Sequence, residues 1–273
     1  MSTSPHGTIT FTRCGGVESH WRRVIQRCEE GAAGQVQTLK TDGTVSVFAL
    51  PGENGAAGLV IKRWELRTLG ARLKSAFKWS RAWRHWEGAS RLTKAGVRTA
   101  ACYAIARSKS DDGAALEWLI MDRLPGKTLL QHLADNDLPV QTQHRLAEAA
   151  ACMIVELIKA RLYNRDGKPS NLIVNLTNPQ RPDIGIIDCV AIRPMPKGGG
   201  KSVDMLAALV IEPLGCRCQP RRALMMRALR SYAVASGNAP RASWRPARDS
   251  LWRAVEAFVK AHGDPTPKVN PLA

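Results

Sequence analysis

The sequence predicts an α+β chain of two lobes, an antiparallel β-sheet with one helix followed by a mainly helical lobe. Three observations support this prediction: short β-rich runs dominate the first part, amphipathic helical patterns dominate the second, and Pro125–Gly126 separates them. We therefore place the lobes at residues 1–124 and 125–273. A chain of 273 residues is long enough for both lobes to bury a core.

The N-terminal lobe is predicted from its short β-rich segments. Three of them, divided by turn signals such as Asp42–Gly43 and residues 51–55, suit an antiparallel meander. These segments span residues 36–39, 45–50 and 59–64, and two further strands are predicted at residues 100–106 and 116–121. The first thirty-four residues contain one helical candidate, around residues 21–28, and their role stays open.

A basic helix is predicted over residues 78–95, between the third and fourth of these strands. Trp79, Trp83 and Trp86 fall on one stripe of that helix, with the spacing of side chains that face a core. We therefore predict that these three tryptophans are core side chains.

The C-terminal lobe is predicted from five helical patterns. They cover residues 127–135, 140–160, 203–209, 220–236 and 248–262. A basic Pro/Gly-rich loop at residues 194–200 is predicted to be a flexible substrate segment, and the Pro-rich tail beyond Gly263 is expected to fray.

The charge of the chain points to an anionic partner. The chain has forty Lys and Arg residues and twenty-three Asp and Glu residues, which gives a formal net charge of +17. Nucleic acid, anionic lipid and phosphorylated glycolipid all fit this charge.

The seven scattered cysteines suit free thiols of a reducing compartment, and no apolar run approaches the ~20 residues of a membrane span. We expect a cytoplasmic protein that contacts a membrane surface peripherally.

The most informative stretch is the polar turn that contains Asp166 and, five positions later, Asn171. A second apolar strand delivers Asp188 seventeen positions after Asn171. Phosphoryl transfer requires such a cluster, with one carboxylate facing the attacking hydroxyl and an amide plus a second carboxylate holding Mg²⁺ against the phosphates. Each residue alone has an ordinary explanation as a turn or strand-end residue. Their joint order predicts a phosphoryl-transfer site.

Two charged residues of the N-terminal lobe have both an ordinary and a functional explanation. Lys62 lies in an apolar strand, where it either points to water from a sheet edge or has a partner or ligand. Glu87 is the only acidic residue between Glu65 and Asp111. It either forms a local helix salt bridge with a neighbouring arginine or pairs with Lys62.

The segment before Pro125–Gly126 is a candidate nucleotide-binding crossover. In a two-lobed nucleotide-binding enzyme, backbone groups of such a crossover contact the adenine edge. The candidate residues are Met121, Asp122, Arg123 and Leu124.

The candidate residues and elements follow one order along the chain: strand Lys, helix Glu, crossover, long helix, Asp-x4-Asn loop, hairpin and strand Asp. This order resembles that of the protein-kinase-like superfamily. A closer resemblance is to bacterial lipopolysaccharide kinases that phosphorylate heptose or 3-deoxy-octulosonic acid of the core. It rests on four stretches, at residues 60–64, 72–77, 80–87 and 92–99. The resemblance covers roughly residues 59–209.

This resemblance implies ATP and Mg²⁺ as cofactors, nucleotide binding in the first lobe, and the catalytic loop and substrate side in the second. It implies that Lys62 contacts phosphates and that Glu87 orients Lys62. Asp166 would accept or steer the proton of the substrate hydroxyl, while Asn171 and Asp188 would bind Mg²⁺.

The resemblance gives two further residues a role. Lys168 would neutralise the transferring phosphate, or else be a solvent-facing loop lysine. Asp204, at a helix start, would support the backbone of the catalytic loop.

The sequence also departs from the kinase pattern. Asn164 stands where a histidine is usual, Cys189–Val190 replaces the pair that often follows the metal-binding Asp, and the first strands have no Gly-x-Gly-x-x-Gly loop. No catalytic acid or metal ligand is lost, so we expect altered rather than absent activity. An inactive pseudokinase is the alternative.

Three functional hypotheses follow. The first is a kinase of a sugar hydroxyl on the lipopolysaccharide inner core, since a basic surface attracts an anionic glycolipid. The second keeps the fold and changes the acceptor to a protein Ser/Thr or a small molecule, although the charge disfavours a cationic drug. The third is a basic nucleic-acid-binding or scaffold protein, against which the absence of a recognisable reading motif argues, so no nucleic-acid partner is expected. The sequence does not fix the oligomeric state.

Overall fold

The computed structural model describes residues 8–31, 36–52, 58–135, 137–198, 200–237 and 243–262. The chain forms two compact units. The first consists of Met1–Ala89 and Ala100–Leu124, and the second of Ser90–Thr99 and Pro125–Ala273. The turn predicted at residues 51–55 lies partly outside the described residues, and the tail beyond Gly263 lies wholly outside them.

The first unit is built on a six-stranded antiparallel sheet in the order β1-β5-β6-β4-β3-β2. The strands are β1 (Thr10–Cys14), β2 (Gln37–Asp42), β3 (Val45–Leu50), β4 (Leu59–Glu65), β5 (Cys102–Lys109) and β6 (Ala115–Asp122). The predicted antiparallel sheet is confirmed. Strand β1, within the stretch whose role the sequence left open, is the edge strand of this sheet and pairs with β5.

Helices cover both faces of this sheet. They are α1 (Glu18–Glu30), α2 (Leu69–Ala76) and α3 (Arg81–Lys94). Trp21 and Ile25 of α1 pack with Ile61, Trp118 and Ile120 on one face. On the other face, α3 packs through Ala82 and Trp83, in a cluster that also includes Trp64, Leu119 and Met121. α1 contains the helical candidate predicted around residues 21–28, whereas α2 is a helix that the sequence did not predict.

The prediction that Trp79 is a core side chain is wrong. Trp79 is 71% exposed, whereas Trp83 is 5% exposed. Lys78 has a left-handed φ of 61°, and α3 begins only at Arg81. Because the left-handed residue interrupts the helical path, Trp79 lies before the helix and outside the stripe that buries Trp83.

The second unit is mainly helical, as predicted. Its helices are α4 (Leu129–Ala134), α5 (Val140–Lys159), α6 (Ser202–Gly215), α7 (Arg222–Ala235) and α8 (Trp244–His262). Its short strands are β7 (Lys127–Thr128), β8 (Leu162–Asn164), β9 (Leu172–Asn175), β10 (Asp183–Ile186) and β11 (Ile192–Pro194). They form a β10-β9-β7 sheet and a β11-β8 pair.

Two contacts of this unit differ from the sequence expectation. Lys127 and Thr128, predicted to be helical, pair with β9, because Thr128 and Gln131 form a reciprocal capping box that starts α4 at Leu129. Residues 90–99 belong to this unit because Ile186 N donates to the carbonyl oxygen of Arg98 at 3.0 Å.

Among the described glycines of this unit, Gly126 least tolerates a side chain. Its φ is 123°, and a Cβ there would clash with the carbonyl oxygen of Val174. We expect Gly126→Ala to lower the free energy of unfolding by roughly 3 kcal/mol, measured by denaturant titration. Gly113→Ala is the control, since Gly113 has a φ of 80° with no atom within 4 Å of the added Cβ. An equal loss in both variants would contradict the clash.

Candidate active site

The loop between β8 and β9 brings three of the predicted residues together. The side-chain nitrogen Nδ2 of Asn171 donates to the backbone oxygen of Asp166 at 3.0 Å and to its carboxylate Oδ2 at 3.1 Å. Lys168 Nζ lies 4.0 Å from Asp166 Oδ1. Asn171 thus fixes the carboxylate of Asp166 beside a positive charge, while both Asp166 and Lys168 keep about half of their side chains exposed to solvent.

Asp188 lies at the same end of the β9–β10 hairpin as Asn171. The last pair of that hairpin is Leu172 with Ile186, and Ile187 N then donates to the carbonyl oxygen of Asn171 at 3.0 Å. The carboxylate of Asp188 accepts from Val190 N at 3.2 Å, which caps the following 3-10 turn. The register of β9 and β10 therefore places the Asp188 carboxylate at the end of the hairpin where the Asp166–Asn171 loop enters β9.

The donor atoms at this end of the hairpin fit a magnesium ion. A carboxylate and an amide oxygen are ligands that Mg²⁺ prefers, and the ion usually keeps further positions for phosphates and water. Since Asn171 uses its amide nitrogen on Asp166, its amide oxygen is the atom available to a cation. Within the described ranges, no group of three or more His, Cys, Asp or Glu side chains could hold a metal ion.

Asn164, in the position where a histidine is usual, supports the loop directly. It is 3% exposed, and its Oδ1 accepts from Asp166 N at 3.0 Å. Its own backbone nitrogen donates to Met205 Sδ at 3.4 Å. In the part of the chain that the structure describes, its Nδ2 is buried without a hydrogen-bond partner. The side-chain amide of Asn164 thus helps to shape the turn at Asp166.

Glu212 supports the loop between β8 and β9, and the sequence did not reveal this role. Its carboxylate accepts from Ser170 N at 2.7 Å and from Ser170 Oγ at 2.6 Å. Asp204, expected to support this backbone, is bound by Lys201 Nζ at 2.6 Å. Glu212 lies on the same helix, α6, two turns further along. No local pattern reveals this contact, because forty-two positions separate Ser170 from Glu212.

Lys62 lies in the interior of the sheet of the first unit. Its strand, β4, has neighbours on both sides, which excludes the edge-strand explanation. Side chains alternate along a strand, so Lys62 shares a face with Trp64, which packs in the cluster that contains Trp83 of α3. Its cross-strand partner, Leu119, belongs to the same cluster. Lys62 therefore points to the side of the sheet that α3 covers.

His85 of α3 is a neighbour of Lys62 that sequence analysis missed. The ring is fully buried, and burial together with the positive charge of Lys62 holds the pKa of His85 well below its usual value. The ring is therefore neutral beside the lysine. Glu87, two positions later on α3, is exposed, and its pairing with Lys62 remains a prediction.

The crossover candidates lie at the end of β6. Met121 is buried, Asp122 N donates to Ala101 O at 2.9 Å, and Arg123 N donates to Gly58 O at 2.8 Å. Tyr103 donates its hydroxyl to Asp122 Oδ1 at 2.6 Å, which raises the pKa of Tyr103 to about 12. Two backbone donors of the crossover are thus engaged within the first unit. Contact of this stretch, including Leu124, with adenine remains a prediction.

The second unit also contains an apolar cavity of about 170 Å³. Side chains of all five helices of the unit line it, among them Leu129, Leu146, Leu206, Leu224 and Trp252. None of the predicted site residues is part of its wall. The cavity is therefore separate from the catalytic-loop residues.

These two units have the architecture of the protein-kinase-like fold, an antiparallel sheet with a helix-facing lysine and a helical unit with an Asp–Asn loop. Among solved structures of that fold, the chain is similar to one described as WaaP in complex with acyl carrier protein. The TM-score is 0.57 at 19% sequence identity, with 93% of this chain and 98% of that chain covered. At this identity the likeness establishes the kinase-like fold.

A second similar structure is the PknI kinase domain of Mycobacterium tuberculosis, with a TM-score of 0.42 and 17% identity. That comparison covers 80% of this chain and 86% of the kinase domain. No family model and no curated protein matches the sequence.

Proposed function

We propose that the protein is an ATP- and Mg²⁺-dependent kinase that phosphorylates a sugar hydroxyl of the lipopolysaccharide inner core. The observation that carries the proposal is the meeting of Asp166, Lys168, Asn171 and Asp188 around one end of the β9–β10 hairpin. The resemblance of residues 60–64, 72–77, 80–87 and 92–99 to lipopolysaccharide kinases supports the choice of acceptor. So does the net charge of +17, because core sugars and lipid A present phosphates and carboxylates.

In the proposed reaction Asp166 aligns the acceptor hydroxyl and receives its proton. The two hydrogen bonds from Asn171 keep that carboxylate in one orientation, and half of it stays open to an acceptor. The ammonium group of Lys168 stabilises the negative charge on the transferring phosphate. Positioning and electrostatics supply most of the acceleration in phosphoryl transfer.

The remaining predicted residues bind the nucleotide. Lys62 contacts the phosphates, with Glu87 as its orienting partner. Asn171 and Asp188 hold Mg²⁺, which neutralises phosphate charge when it is bound. The backbone of residues 121–124 contacts the adenine.

The acceptor is tested by mass spectrometry of core glycolipid from cells with and without the protein. We expect one phosphate to be missing from a single core sugar in the cells that lack the protein. If the glycolipid is unchanged and the purified enzyme phosphorylates a protein, the acceptor is a protein Ser/Thr and the proposed acceptor is wrong. No membrane-spanning helix exists among the described residues. A peripheral contact with the anionic inner membrane surface is also part of the proposal, since the acceptor is a lipid.

A further inference from the structure

Residues 67–79, which we call the α2 surface, turn their large apolar side chains toward solvent. The described part of the chain has seven exposed large apolar side chains, and four of them lie on this surface. They are Leu69, Leu73, Phe77 and Trp79, at 72%, 50%, 64% and 71% exposed. Soluble monomers rarely expose contiguous apolar patches of more than a few hundred Å², and larger patches mark sites of interaction.

Hydrogen bonds hold the helix in this orientation. Between Arg67 and Trp79 every residue is exposed except Ala71 and Ser75. Ser75 is 1% exposed and donates its hydroxyl to Glu117 Oε1 at 2.6 Å. A rotation that buried the leucines would break this bond and leave the buried Glu117 carboxylate without it, at a cost of about 1–3 kcal/mol. The outward apolar face is therefore a property of the folded state.

Hydrogen bonds also hold the backbone that carries the aromatic side chains of the surface. The backbone nitrogens of Phe77 and Trp79 donate to Leu73 O at 2.9 Å and Lys74 O at 2.7 Å. The left-handed residue Lys78 lies between the two aromatics, and their ring centroids are 6.2 Å apart. An indole exposed beside leucines is typical of side chains that lie at a membrane–water boundary.

The charges around this apolar patch are nearly all positive. The flanking cations are Arg67, Arg72, Lys74, Lys78 and Arg81, whereas Glu87 is the only acidic residue between Glu65 and Asp111. A cavity of about 400 Å³ lies behind α2, and its wall includes Lys74, Arg81 and Arg84. The same wall contains Glu65, which Arg67 binds at 2.8 Å, and Glu117, which Ser75 binds. Three cationic side chains thus lie on the wall of a cavity at the edge of the patch.

We infer that the α2 surface docks the protein on an anionic lipid bilayer. The four apolar side chains enter the interfacial region, and the flanking Arg and Lys side chains contact lipid phosphates. Charge complementarity favours a bilayer over a protein partner, since lysine is depleted in protein–protein interfaces, whereas basic residues with Trp and Leu are typical of membrane-surface helices. The inference rests on the proposed function and deepens it, because it names the surface that makes the peripheral membrane contact.

The test is co-sedimentation of the full chain with vesicles of phosphatidylcholine, alone or mixed with phosphatidylglycerol. We expect strong binding to the mixed vesicles that weakens as salt is added. The double variant Leu73→Ser/Phe77→Ser should bind at least about tenfold more weakly. The double variant Arg72→Gln/Lys74→Gln should bind the mixed vesicles about fivefold more weakly for each charge removed.

Matched controls come from exposed residues elsewhere in the chain. Val17→Ser/Val140→Ser removes two exposed apolar side chains, and Lys159→Gln/Lys260→Gln removes two exposed charges. Both controls should bind vesicles as the parent protein does, and all four variants should keep its melting temperature. They should also transfer phosphate to a deacylated, soluble acceptor at the parent rate, which separates docking from catalysis. Equal vesicle binding by surface and control variants, or no binding by the parent protein, would overturn the inference.

Discussion

Asp166→Asn is expected to reduce phosphate transfer about 10³-fold while leaving nucleotide binding intact. An asparagine oxygen still accepts the hydrogen bond that Asn171 Nδ2 gives to the Asp166 carboxylate, so the loop keeps its shape. The amide is a far weaker base than the carboxylate and takes up no proton from the acceptor hydroxyl. Initial rates with saturating ATP and Mg²⁺ measure the loss, and the rise in melting temperature with the nucleotide measures binding.

Asp183→Asn is the matched control for this variant. Asp183 begins β10, at the opposite end of the hairpin from Asp188, and it is exposed. The same change of carboxylate to amide there should leave the rate within about twofold, because exposed charges contribute little. If Asp166→Asn retained the parent rate, the assignment of the proton acceptor would be wrong.

Asp188→Asn is expected to abolish both activity and the thermal stabilisation by ATP with Mg²⁺. The asparagine oxygen still caps the turn by accepting from Val190 N, so the fold is kept. The negative charge that holds the cation is lost. For the parent protein, ligand at a hundred times its Kd stabilises the fold by about 2.7 kcal/mol, and we expect the variant to lose most of this.

Two melting curves distinguish a metal role of Asp188 from a structural one. In the absence of nucleotide, the variant and the parent should melt within a few degrees of each other. With ATP, the parent should respond to Mg²⁺ and lose that response to a chelator, whereas the variant should respond to neither. A variant that is stabilised by Mg²⁺ and ATP as strongly as the parent would show that Asp188 holds no metal.

The sequence predicted the elements of the fold because their patterns are local. Residues 45–50 and 140–159 show the strand and helix periods clearly, and the structure places a strand and a helix there with closely similar bounds. The grouping of Asp166 with Asn171 was also predictable, since five positions and one turn separate them. Contacts between distant positions were not, because no short pattern indicates them. Glu212 on Ser170 and His85 beside Lys62 are two examples.

The wrong prediction for Trp79 has a physical cause that no periodicity reveals. A helical stripe assumes an unbroken helix, whereas Lys78 takes a left-handed conformation and shifts the start of α3 to Arg81. Ser75, rather than a leucine, is the residue of α2 that faces the interior of the unit, because buried Glu117 supplies its hydrogen-bond acceptor. The outward apolar face of α2 is the basis of the membrane proposal.

The central claim is tested most directly by incubating the purified protein with isotopically labelled ATP, Mg²⁺ and isolated, unphosphorylated inner-core glycolipid. We predict that the labelled terminal phosphate appears on one core sugar, and that Asp166→Asn transfers about 10³-fold less of it. A protein that binds the nucleotide, leaves the glycolipid unlabelled and labels a protein acceptor would contradict the proposed substrate. A protein that shows no response to ATP and Mg²⁺ and binds nucleic acid tightly would contradict the kinase itself.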